Sequence, residues 1–118
     1  MQRDMDLFRE ILLSIEEAPS GNYWTAIPLG GHSIEDVVGH LRLIDDAGFV
    51  EARFLTTMDN DGAIVIRMTN AGHDFLEASK QPTMWEQAKA QIKSGGLPMT
   101  ISVIREVFES LIKAHLPH

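Results

Sequence analysis

The residues best equipped for chemistry in this chain are its histidines, His32, His40, His73, His115 and His118. An imidazole can move a proton near neutrality or hold a metal ion. Metal ligation needs a set of donors at a spacing that lets them converge, and these histidines lack a metal-ligand spacing with supporting carboxylates. Only His32 and His40, one on each side of a helix start, could approach in space. The acid pairs Glu16-Glu17 and Asp45-Asp46 are neighbours in sequence, so on a helix they point apart and do not form a catalytic dyad. The glycine pairs in "PLGGHS" and "KSGGLP" lack both the lysine of a phosphate-binding loop and the spaced glycines of a dinucleotide site. No serine–histidine–acid set stands out, and with no cysteine there is no thiol chemistry or disulfide. The expectation is a protein that is not an enzyme, with no metal, cofactor or small-molecule ligand.

The remaining polar candidates lie where a macromolecule could be contacted. They are Ser33, His40 and Arg42 in "HSIEDVVGHLRLIDDAG", and Arg53 and Arg67 further on. Their use depends on the elements that carry them. Within 33–47, Ile34, Val37, Val38, Leu41 and Ile44 recur at helical spacing, with Ser33 placed to cap the start and Gly48 to end it. The outward face is then Glu35, Asp36, Gly39, Arg42, Leu43 and Asp46, with His40 at its flank.

An earlier helix is expected over 4–17, its apolar stripe formed by Met5, Phe8, Ile11, Leu12 and Ile15. "YWTAIP" reads as a short edge strand. "FVEARFLTT" and "AIVIRM" read as a hairpin joined by "MDNDG", with Val50, Ala52 and Phe54 on one face and Ile64, Ile66 and Met68 on the matching one. Three helices follow. One opens at Thr69, with Ala71, Phe75 and Ala78 inward. Another is capped by Thr83 and Glu86 and ends at Gly95-Gly96. The last begins near Pro98 and reaches about Leu116. Its stripe of Ile101, Ile104, Phe108, Leu111 and His115 is widened by Val103, Val107 and Ala114. So broad an apolar face is expected either to pack under the hairpin or to be shared with a second subunit.

These elements suggest an α+β fold: one winged helix-turn-helix-like domain over 1–118, with a β-hairpin wing and extra C-terminal helices from about 83 to 116. The length of 118 residues and the 44% hydrophobic content suit one soluble domain. No apolar run approaches a membrane span, and the N-terminus does not resemble a secretory signal, so a cytoplasmic location is expected.

The chain resembles an uncharacterised bacterial and prophage-borne family of unknown function. Arg3, Asp4, Met5, Asp6 and Leu7 match its opening motif, and His40, Leu41, Leu43, Ala47 and Gly48 match its "HL.L...AG" segment. Thr69, Gly72, His73, Phe75 and Leu76 match a "LT..GH.FL" segment, and Trp85 and Lys89 a "W...K" helix. The resemblance implies a winged-helix fold in a bacterial or phage setting and implies no activity. The segment before Ser33 reads as strand and turn, so the second helix usual in such folds is shortened or missing here.

Charge divides the functional expectation. Residues 1–62 hold four basic residues against twelve acids, a balance of −8, while 63–118 hold six against five, or +1. Duplex binding draws its affinity from phosphate neutralisation, which this half cannot supply broadly. The leading expectation, by analogy of fold, is a DNA-binding transcriptional regulator that dimerises through its last helix, with Ser33, His40, Arg42, Arg53 and Arg67 at double-stranded DNA. The alternative is a protein-interaction module on the same scaffold that does not bind DNA. It would use Gly39, Leu43 and the acidic face of the second helix, while Ile104, Phe108 and Leu111 would carry the homodimer contact of the last helix.

Overall fold

The structure, a computed structural model, describes residues 3–18, 23–56, 61–98 and 100–115. Residues 57–60 of the expected hairpin turn, the end of the "APSG" turn and the tail with His118 lie outside these residues. Among the described residues are five helices and three strands: α1 (Met5–Glu17), β1 (Trp24–Thr25), α2 (Ile34–Asp46), β2 (Val50–Thr56), β3 (Asp61–Met68), α3 (Asn70–Ser79), α4 (Pro82–Ser94) and α5 (Ile101–His115). The strands form one antiparallel sheet in the order β1-β3-β2. The chain is therefore α+β. Its contacts cluster into two compact units, Met1–Asp74 and Phe75–His118.

In the first unit, α1 and α2 bury the stripes their periodicity requires. Met5, Phe8, Ile11 and Leu12 of α1, and Val37, Val38, Leu41 and Ile44 of α2, are buried as expected, and Leu7 is buried with them. The expected Ile15 and Ile34 are only half-buried. Both helices open on side-chain caps. Asp4 Oδ1 accepts from the amides of Asp6 and Leu7, and Ser33 Oγ accepts from the amide of Asp36. Gly48 ends α2's turn at a positive φ of 81°, a conformation other residues adopt only under strain.

The hairpin departs from simple alternation. Glu51 pairs with Arg67 but Ala52 pairs with Val65, so Ile66 is the extra residue of a bulge on β3. The core face of β3 is consequently Ala63, Val65 and Met68, with Ile64 and Ile66 only half-buried. A strict period of two assigns that face to Ile64, Ile66 and Met68; the bulge changes the phase between Val65 and Met68. The inner row Trp24, Val65 and Ala52 is buried throughout. Trp24 also donates its indole N–H to Ser14 Oγ at 2.8 Å, fastening the edge strand to α1.

The second unit is built around three aromatic rings. Phe75 lies 5.4 Å from Phe108 and 6.3 Å from Trp85, and Trp85 lies 5.9 Å from Phe108, centroid to centroid. Met84, Ala88 and Ile92 of α4 and Ile104 and Leu111 of α5 are buried with them. Three local expectations shift. The inward residues of α3 are Gly72, Phe75, Leu76 and Ser79, with Ala71 and Ala78 half-buried. Helix α4 starts at Pro82 behind Gln81, without a side-chain cap, so Thr83 lies inside the first turn. Helix α5 begins only at Ile101, where Thr100 Oγ1 accepts from the amide of Val103.

Candidate functional site

Helix α2 carries most of the residues that sequence singles out, and the structure separates them. Glu35, Arg42 and Asp46 are exposed, Asp36 is partly so, and Gly39 and Leu43 are half-buried. Leu43 is therefore less available than an outward position implies. The Arg42 guanidinium carbon sits 4.3 Å from the centre of the Phe54 ring on β2. An aromatic face attracts a cation there, and the contact holds Arg42 against its own sheet. Ser33 Oγ is engaged in capping. Arg67 Nη2 lies 2.9 Å from Glu51 Oε1 on the neighbouring strand, which neutralises its charge locally. Arg53 is exposed.

His40 is placed differently from the expectation. It does not flank the outward face: it is 1% exposed, buried against α1. Its Nε2 accepts the main-chain N–H of Asp4 at 2.9 Å, and Nδ1 lies 2.8 Å from the carbonyl of Asp36. Those partners require the ring to carry its hydrogen on Nδ1. The Phe8 ring meets the imidazole edge-on at 5.4 Å. With both nitrogens committed to main chain, His40 is a joint between two helix starts and not a group that can reach a ligand.

His32, the other half of the suspected pair, stands nearby at the surface. Its Nε2 is 3.3 Å from Asp4 Oδ2 and its Nδ1 is 3.8 Å from Asp36 Oδ2. Sequence spacing does bring His32 and His40 to the same region, but through Asp4, with each ring serving a separate purpose. Among the described residues no three side chains converge as a metal-ligand set.

A second joint was not legible beforehand. Thr69 donates its hydroxyl to the Gly48 carbonyl and accepts from the Gly72 amide, while its own amide donates to the Phe49 carbonyl at 2.9 Å. A Cβ on Gly72 would fall 2.2 Å from that Phe49 oxygen. The glycine is therefore required by close approach of α3's first turn to the end of α2. The Trp85–Lys89 pair is likewise internal: Lys89 Nζ lies 5.7 Å from the Trp85 ring centre, one helical turn on, and 3.2 Å from Glu86.

The proposed intersubunit residues also move inward. Ile104, Phe108 and Leu111 are buried within the single chain. The large apolar side chain that α5 leaves exposed is Ile112. The side chain of His115 lies outside the described residues.

Asp4 thus meets His40, Gly48 meets Thr69, and within α4 Trp85 meets Lys89. The chain is an α+β protein in which these residues join segments of its own fold. It belongs to the family described as Hypothetical protein (DUF2513), which matches residues 2–98. A protein of Haemophilus influenzae (strain ATCC 51907 / DSM 11121 / KW20 / Rd), described as "Uncharacterized protein", is 30% identical over 118 residues, covering 98% of this chain and 99% of the relative. No solved structure matches. Among the described residues no helix is long and apolar enough to cross a membrane.

Proposed function

We propose that the first unit is a winged-helix-type scaffold that acts by docking on a protein with a basic surface, and not on DNA. The scaffold reading is supported by the order α1, β1, α2, β2, β3 and by the β1-β3-β2 sheet, in which β2 and β3 form the wing and α2 takes the position of the reading helix. The observation that carries the choice of ligand is the outward face of α2. It displays Glu35, Asp36 and Asp46, and its single cation, Arg42, lies over Phe54. Residues 1–74 hold five arginines, no lysine and thirteen acids, a balance of −8. Such a field repels a polyanion and steers a cationic partner toward the face.

DNA regulation is the competing reading, favoured by the element order and by the exposure of Arg42 and Arg53. Of its five contact residues, His40 is buried, Ser33 caps a helix and Arg67 is paired with Glu51. Titration with mixed genomic duplex fragments at low salt separates the two. The proposal expects no binding, together with capture of a cellular protein by the wild type that the double variant Glu35→Lys, Asp46→Lys loses. Duplex binding that weakens steeply with salt and depends on Arg42 would overturn it.

A further inference from the structure

The outer face of the sheet is a second surface, remote in chemistry from the acidic face of α2. Cross-strand partners share a face, so the row Thr25, Ile64 and Arg53 points away from the buried row Trp24, Val65 and Ala52. Tyr23 and Ile27, which flank β1 two residues either side of Thr25, are 63% and 47% exposed. On β2, Leu55 shares this side and is 60% exposed. Leu55 pairs with Gly62, where an added Cβ would meet nothing within 4 Å. Of the five large apolar side chains exposed among the described residues, Leu55 lies on the sheet and Tyr23 and Ile27 flank its edge strand.

The charges on this face are also particular. Glu51 and Arg67 neutralise each other across the strands. Among the described residues no carboxylate is paired with Arg53, although the unit as a whole is strongly acidic. An aromatic, aliphatic side chains and a free arginine are the composition of an interface and not of an ordinary solvated sheet face. Three strands about 4.8 Å apart span roughly 10 Å, the width of one helix with its side chains.

We infer that the outer sheet face seats an amphipathic helix of another protein, its aliphatic stripe over Tyr23, Ile27 and Leu55 and one carboxylate on Arg53. One large side chain of the helix lies over Gly62, where the strand carries no side chain of its own. This surface is independent of the proposed α2 contact: it takes an acid-bearing apolar helix, whereas α2 takes a basic surface.

The test is selection of short peptides from a displayed random library on the full chain, followed by binding measurements with the selected peptides. The expected peptides carry aliphatic residues at three- and four-residue spacing with an aspartate or glutamate among them. Arg53→Glu weakens their binding about tenfold or more, as loss and reversal of a charge-assisted contact does. Replacing the peptide's acid by lysine restores binding to Arg53→Glu. Leu55→Asp abolishes binding, and Glu35→Lys leaves it unchanged, which keeps this surface distinct from α2. All three altered positions are exposed, so melting temperatures close to the wild type confirm that the variants fold. Enrichment of peptides without an acid, binding indifferent to Arg53→Glu, or no enrichment beyond that on Leu55→Asp would overturn the inference. So would self-association abolished by Leu55→Asp, since the occupant would then be a second copy.

Discussion

Replacing His40 tests whether this residue is a joint or a reader. His40→Leu keeps most of the buried volume and removes both polar contacts. The Asp36 carbonyl belongs to α2 and retains its place in the helix ladder, so its loss is small. The Asp4 amide has no such alternative: it precedes α1, and Nε2 of His40 is its acceptor at 2.9 Å. Leaving a partly buried amide without an acceptor costs about 1–3 kcal/mol. His40→Ala adds a cavity beside Phe8, for a further ~1–3 kcal/mol. Domains of this kind are stable by about 5–15 kcal/mol, so either change is a large share of the total. Urea denaturation provides the assay, with an unchanged slope confirming that the same surface unfolds. Amide exchange across the first turn of α1 locates the loss, since Asp4 also caps the amides of Asp6 and Leu7. A His40→Leu variant within about 0.5 kcal/mol of wild type would refute the reasoning. If that stable variant also lost affinity for a nucleic acid, the ring would be a reader after all.

Other substitutions report on the remaining joints. Gly72→Ala gains about 1 kcal/mol of helix propensity, but its Cβ meets the Phe49 carbonyl at 2.2 Å, and a net loss of about 2 kcal/mol is expected in the same denaturation assay. Ser14→Ala removes the acceptor of the Trp24 indole and is expected to cost about 1 kcal/mol, with a change in tryptophan fluorescence that Ser14→Thr largely reverses. Phe108→Asp buries a charge among Phe75 and Trp85. It is expected to melt the second unit, seen as lost helical circular dichroism, without a change of oligomeric state at concentrations where the wild type is folded. Arg42→Ala is expected to cost no more than about 1 kcal/mol, since the Phe54 contact is exposed to solvent.

Much of the first unit could be read from periodicity because its helices are one-sided. The stripes of α1 and α2, the Ser33 cap and the Gly48 terminus all follow from short-range rules. The β3 face could not, because a bulge depends on which residue of β2 is skipped, and that is a property of two strands together. His40 fails for a related reason. On a helical wheel it lies at a boundary, and only the position of Asp4, 36 residues earlier, decides that it is buried. The width of the α5 stripe left open a second subunit, and within the chain Ile104, Phe108 and Leu111 are already buried, Phe108 beside the Phe75 and Trp85 rings. Breadth of an apolar face counts neighbours without saying which chain supplies them.

The candidate site was legible in composition and not in motif. The motifs mark where segments distant in sequence must touch: Asp4 against His40, and Gly48 and Phe49 against Thr69 and Gly72. Each such contact uses up the polar groups that made the residues look reactive. What remains at the surface is what no motif flagged, the acids of α2 and the apolar outer side of the sheet with Arg53. A residue whose hydrogen bonds are all satisfied within the chain stabilises it, whereas recognition must come from groups still held by water. On that criterion the acidic face and the sheet face outrank His40. A binding study directed at His40 would measure folding, and one directed at Glu35, Asp46, Arg53 or Leu55 would measure recognition.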